Sequence, residues 1–256
     1  MSIAGQPARI VIALAIAAVV AASCWCVFAI FKGLFNRAGD PVGDEDLSQN
    51  LAQPPYFCHV IDTVEGARRL TLDVTSKVFP ISNIPLDVVE AAQQHNNRRL
   101  IALVERSSER TVGWATVWPV NPEAGRAVEN GSRPDDELVL ADLLPRSHNR
   151  QAQYVVVLAV GLLESHRNLP GSTLLRKLGS ALLWHIHNEF YEDEDGKSLK
   201  ILAIGDSPAG RRMCERIGLQ ANGAHAKFAN VADPKPVYCA VMTRRNLREK
   251  IDQNFS

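Results

Sequence analysis

Net charge is missing from this chain: its 28 basic and 28 acidic side chains cancel, and the pI is close to 7.1. No basic stripe interrupts that balance, which argues against nucleic acid as the main partner. Arg211-Arg212 and Arg244-Arg245 are short clusters that read as solvated helix faces. Cysteine is also scarce. Beyond the apolar run near the start, the three cysteines Cys58, Cys214 and Cys239 are widely spaced, odd in number and without a CxxC pair. They make no disulfide framework, and suit reduced, buried thiols in a reducing compartment. No internal repeat, low-complexity tract, Ser-His-Asp arrangement, Walker loop or zinc-ligand spacing is present. His185 and His187 are two apart on a helical pattern and diverge, so no metal site is expected. Cys24-Trp25-Cys26 falls inside an apolar helical run, where packing or lipid contact is the reading.

What is present at the start is one long apolar run. Ile10 to Phe31 carries no charge over about 22 residues, enough to cross a bilayer at 1.5 Å per residue. Arg9 precedes it, Lys32 and Arg37 follow it, and Trp25, Phe28, Phe31 and Phe35 gather toward one interface. A secretory signal is the competing reading, with Ala21-Ala22-Ser23-Cys24 loosely suggesting a lipoprotein cleavage site. Ala21 fits that site poorly and the run continues past Cys24, so a retained anchor is favoured. The flanking charges scarcely bias orientation; the unpaired thiols favour a soluble domain on the cytoplasmic side. The expected organisation is an anchor over 1–35, a tether over 36–55 rich in Gly, Asp and Pro, and a domain of ordinary size over 56–256.

Within that domain Phe57–Ile61 reads as a strand, and Val64–Phe79 and Leu86–His95 as helices broken by Pro80 and Pro85. Arg99–Val104 and Thr111–Trp118 read as a hairpin. The segment from Pro119 to Arg150 holds Glu123, Asp135, Asp136 and Glu137. A connection of that length is either a functional lid or a disordered surface insertion. Tyr154–Val160 has the continuous β-branched character of a strand buried on both faces. Ser172 and Thr173 are placed to cap a helix over Leu174–Phe190. A strand over Leu199–Ile204 leads to Ser207-Pro208, a cap with proline at the first helical position, and to a helix stopped by Gly218. Ala224–Ala229 and Val237–Met242 are further strand candidates, followed by a charged helix from Thr243 to about Gln253.

This order, with His166-Arg167-Asn168-Leu169-Pro170-Gly171-Ser172-Thr173 after the first buried strand and Arg212-Met213-Cys214-Glu215-Arg216-Ile217-Gly218-Leu219 closing the second unit, resembles the GCN5-related N-acetyltransferase (GNAT) superfamily. The resemblance covers about residues 57–243 and is strong over the second half. It implies an α/β (α+β) fold with a mixed central sheet flanked by helices, here preceded by one transmembrane helix. It also implies acetyl-CoA as co-substrate and an amine acceptor, a small molecule or a protein. In the family pattern the loop is Gln/Arg-x-x-Gly-x-Gly/Ala. Here Leu169 replaces the first Gly, and Pro170 has no N–H to donate.

The resemblance implies site residues one by one. Gly171, Ser172 and Thr173, with Arg167 and the helix dipole, would hold the diphosphate. Backbone N–H groups at Val160, Gly161 and Leu162 would polarise the thioester carbonyl, and Ser207 would meet the pantetheine arm besides capping its helix. Cys214 stands where the family commonly places a Tyr acid; the alternative is a small core hydrophobe. Glu164 is either a base acting through water or a solvated carboxylate at the strand end. Glu105 and His166 have weaker claims of the same kind. The expected function is a membrane-anchored acetyl transferase acting on an amine. The alternative is a degenerate module of the same fold that binds at the membrane without catalysis.

Overall fold

A computed structural model describes residues 55–75, 85–167, 173–192, 196–229 and 231–255. The expected anchor over 1–35 and all but the last residue of the tether lie outside them, as do Gly171 and Ser172. Among the described residues no helix is long and apolar enough to cross a membrane.

Strands form where the apolar runs are. β1 (Tyr56–Ile61), β2 (Leu100–Glu105), β3 (Arg110–Val120) and β4 (Tyr154–Leu162) pair antiparallel in succession. β5 (Ser198–Ile204) lies parallel to β4, and β7 (Lys235–Thr243) runs antiparallel to both β5 and β6 (Gln220–Ala226). The described strands make one seven-stranded mixed sheet in the order β1-β2-β3-β4-β5-β7-β6. A parallel pair needs a crossover. Between β4 and β5 the chain forms the short α4 (Glu164–Arg167) and the long α5 (Leu174–Phe190).

Side-chain alternation along the strands assigns the helices to two faces. On one face α5 inserts Leu178, Leu182, Leu183, Ile186 and Phe190 against Val155, Val157, Leu199 and Ile201. The i, i+4 spacing of Leu174, Leu178, Leu182, Ile186 and Phe190 supplies that stripe. Leu247 and Ile251 of α7 (Arg244–Phe255) join the same cluster. On the opposite face α1 (Val64–Leu70) and α2 (Leu86–His95) cover β2 and β3 around Trp114. α3 (Pro122–Glu129) covers Trp118, Val120, Tyr154 and Val156 there.

Several boundaries differ from expectation for identifiable reasons. The segment after Pro119 forms α3 and three short 3-10 turns between β3 and β4. Asn121 caps α3 by accepting the Ala124 N–H at 2.9 Å, and Pro122 takes the first helical position. An Arg133–Asp142 ion pair at 2.6 Å then pins the turns that follow. Strand β3 runs through Pro119 because Val117 turns its N–H to Arg99 of the neighbouring segment. Position 119, two residues on, points the same way past the start of β2, so proline there costs no bond to β4. The first helix leaves α geometry after Leu70 for a π-helical turn over Thr71–Thr75. Thr173 flanks α5 without a side-chain capping bond, contrary to the cap expected of it.

Candidate active site

The sheet carries a built-in opening. Parallel pairing of β4 with β5 runs only from Tyr154↔Lys200 to Val157↔Ala203, while β4 continues to Leu162 paired on its other side with β3. The register slips there: Thr116 opposes Ala159 and Val117 opposes Val157, leaving Leu158 as an extra residue. Such a bulge bends its strand and increases twist, and here it coincides with the parting of the two strands. In consequence Leu158, Ala159 and Val160, at the middle of a central strand, are only half-buried.

The ladder decides which backbone groups face that opening. The Leu163 N–H donates to the Val112 carbonyl at 2.8 Å, so this is a hydrogen-bonded pair. Antiparallel ladders alternate bonded and non-bonded pairs; Trp114/Gly161 is therefore bonded, while Gly113/Leu162 and Ala115/Val160 are not. The backbone groups of Val160 and Leu162 turn to the gap and those of Gly161 turn to β3. Of the three expected carbonyl-polarising positions, the geometry brings two together and directs the third away. Gly161 has a packing role: a Cβ built on it would lie 2.7 Å from the Trp114 ring.

An arginine from the helix that follows each strand turns back to a carbonyl at that strand's end. Arg167 Nε donates to the Leu162 carbonyl at 2.8 Å, and Arg211 Nε to the Gly205 carbonyl at 3.2 Å. Each guanidinium keeps further donors for an anion. Leu174 and Leu175 in the first turn of α5 belong to the core on the same face of the sheet as Val160 and Leu162. α6 (Pro208–Arg216) begins just after β5, its cap formed by Ser207 Oγ accepting from the Gly210 N–H at 3.0 Å. The N-terminus of α6 and two arginines thus stand at the C-terminal ends of the parted strands, where open α/β sheets bind their ligands. Arg211 is visible in the sequence only as part of a basic pair; its neighbourhood depends on the end of β5.

The expected proton-transfer groups are scattered. Glu164 is not at the strand end, because β4 extends to Leu162; it opens α4 and is exposed. Glu105 accepts from Ser108 Oγ at 2.6 Å and Tyr56 Oη at 3.4 Å, within the hairpin. The His166 ring lies edge-on to that of Tyr56, their centroids 6.2 Å apart. Cys214 is buried in the core shared by α5, α6 and β7, and burial pushes its thiol up to about 12. A thiol in that setting stays protonated at ordinary pH and releases its proton reluctantly. Among the described residues no group of His, Cys, Asp or Glu is arranged to hold a metal.

One carboxylate differs from these. Asp135, in the turn Asp135–Glu137, belongs to a segment that packs against β4. Its carboxyl is raised to about 7, by burial first and then by the Asp136 charge, with Asp206 adding to the same direction. Asp206 is exposed and lies 3.7 Å from Lys235. Two overlapping shallow concavities, about 390 and 450 Å³, lie elsewhere, around Gly218, Gln220, Ala221 and Lys250.

No protein-family model matches the sequence, and no curated protein matches it. Solved structures of similar shape include a mosquito arylalkylamine N-acetyltransferase-like protein, 14% identical over 73% of this chain and 100% of that one, at a TM-score of 0.47. The loading GNAT-like domain of CurA from Lyngbya majuscula is 13% identical over 76% of this chain and 98% of its own, at 0.49. Arabidopsis thaliana NAA60, solved with a bisubstrate analogue, is 14% identical over 73% and 97%, at 0.43. At these identities and scores the likenesses carry no argument about residues or chemistry.

Proposed function

We propose that this chain is a GNAT-type acyltransferase that moves an acetyl group from acetyl-CoA to an amine. The observation that carries the reading is the parting of parallel strands β4 and β5 beyond Val157 and Ala203, with a bulge at Leu158. The motifs around Gly171 and Gly218 support it independently.

In this reading the thioester lies between the strands. The Val160 N–H, with that of Leu162 beyond it, polarises the carbonyl; donors fixed in a sheet need no reorganisation as charge develops. Arg167, Arg211 and the N-terminal end of α5 hold the diphosphate. Gly171, Ser172 and Thr173 supply the loop contacts, and the Ser207 hydroxyl reaches the pantetheine arm as its cap geometry allows. The departing CoA thiolate is a stable leaving group, so Cys214 is not required as an acid. The proposal extends to an anchor over 1–35 and a tether over 36–55 that hold the domain on the cytoplasmic side of a membrane.

Leu169 and Pro170 favour a second reading, a binding module of the same fold without catalysis, because they weaken the loop that grips phosphate. Calorimetry separates the possibilities. The full chain in mild detergent is expected to bind acetyl-CoA one to one, with a Kd between about 1 μM and 1 mM. It should then release free CoA thiol in the presence of tyramine or spermidine. Binding without release would support the module, and no binding would overturn both readings.

A further inference from the structure

We propose that the outer edge of β1 pairs with the same edge of a second copy of this chain, joining the two sheets across a two-fold axis at His59. The inference is independent of the acetyl-transfer reading.

The ladder within the sheet shows which groups of β1 face outward. Among the described residues β1 stands at the end of the strand order and meets a strand, β2, on one side only. The Arg106 N–H donates to the Pro55 carbonyl at 2.8 Å, and these residues continue the β1–β2 register. They are therefore a hydrogen-bonded pair. This ladder has no register shift, so strict alternation turns the backbone groups of Phe57, His59 and Ile61 to β2. Those of Tyr56, Cys58 and Val60 turn outward. Lys177 gives the same parity from the other side, since its ammonium reaches from α5 to donate to the Tyr56 carbonyl. Cys58 and Val60 each keep an outward N–H and C=O with no hydrogen-bond partner among the described residues.

Sheets guard such an edge with lysine, proline, a bulge or a broken strand. The opposite edge is guarded in this way. The ladder of β6 to β7 breaks between Ala221 and His225, around Gly223 at φ 85°, and Gln220, Asn222 and His225 are exposed there. β1 has none of these devices: Tyr-Phe-Cys-His-Val-Ile carries no lysine or proline and pairs without a bulge.

A two-fold interface reads the edge against itself. Centred on His59, it opposes Cys58 to Val60 and Val60 to Cys58, and every free group named above finds a partner. Centring on Cys58 would call on the Tyr56 carbonyl, which Lys177 occupies. Centring on Val60 would call on the Asp62 carbonyl, which accepts from Asn97 Nδ2 at 3.2 Å. Charge complementarity selects the same register. It sets the exposed Asp62 of each copy opposite Tyr56 of the other. Alternation puts Asp62 on the face of Tyr56 and Cys58, the α5 face, where the Lys177 ammonium lies with donors to spare. A foreign strand would have to supply an anion at that place; a second copy already carries it.

The test uses the full chain in mild detergent, with association read by sedimentation over a concentration series and backbone protection by amide hydrogen exchange. A dimer is expected, in which Cys58 and Val60 exchange slowly and dilution speeds them. Val60→Pro deletes an outward N–H from each copy without touching the β2 ladder. Losing those bonds should weaken association by about tenfold or more. His59 and its counterpart form a non-bonded pair with Cα atoms about 4.5 Å apart, within reach of a disulfide. His59→Cys should therefore give a 59–59 disulfide on mild oxidation, identified by mass spectrometry of the linked peptides, and Gln220→Cys on the opposite edge should not crosslink. A monomer at every concentration would overturn the proposal. So would a dimer that forms no 59–59 disulfide and keeps its affinity in Val60→Pro, because it is held elsewhere, as at the apolar run. Slow exchange of Cys58 and Val60 in a monomer would overturn it too, by showing that another segment of the same chain adds to β1.

Discussion

Replacing Gly161 by leucine should destabilise the fold by about 3 kcal/mol, the upper part of the range for overpacking a filled core. Even a Cβ at this position would lie 2.7 Å from two atoms of the Trp114 ring, and Trp114 is 1% exposed. The ring has no room to retreat, since α1 and α2 cover it. Urea denaturation measures the effect as a lowered midpoint. The pair Gly161→Leu with Trp114→Leu should lose less than the sum of the two single changes, because the second makes space for the first. A Gly161→Leu protein with the parent's midpoint would show that the ring is not seated on the strand.

The second large effect is expected on chemistry. Val160→Pro removes one N–H from the gap, and because that group is not part of the β3 ladder the strand can keep its pairing. Acetyl transfer should fall by about a hundredfold or more, the usual consequence of losing one preorganised donor to a developing oxyanion. Acetyl-CoA binding should change far less, since the bond strengthens chiefly as charge develops. A similar loss in binding and rate would mean that Val160 shapes the pocket without polarising the carbonyl.

The sequence is most legible where local signals and the fold agree. α2 and α5 have the limits expected of them, since proline breaks the chain before the first and an unbroken i, i+4 stripe runs through the second. The second strand-to-helix unit is similarly clear: Ser207 caps, Pro208 starts the helix, and Gly218 adopts φ 89° at its end. What escaped detection depends on partners distant in sequence. The Leu158 bulge is a property of the pairing between β3 and β4, and neither strand announces it alone. That same slip sets which of Val160, Gly161 and Leu162 face the gap. The need for glycine at 161 comes from Trp114. α3 is a different case, because Asn121-Pro122 is a helix start signal that the surrounding prolines and acidic residues obscured.

The alternation along β4 offers the most direct test of acetyl-CoA in the gap. Nitrogen-15 amide spectra of the full chain, titrated with acetyl-CoA and separately with CoA, should show Val160 and Leu162 moving on binding. The difference between the two ligands should be concentrated at Val160, where the acetyl carbonyl is held, and Gly161 should respond least of the three. Large shifts at Gly218, Gln220 and Lys250 with β4 undisturbed would place the ligand beside β6 and β7 and contradict the assignment.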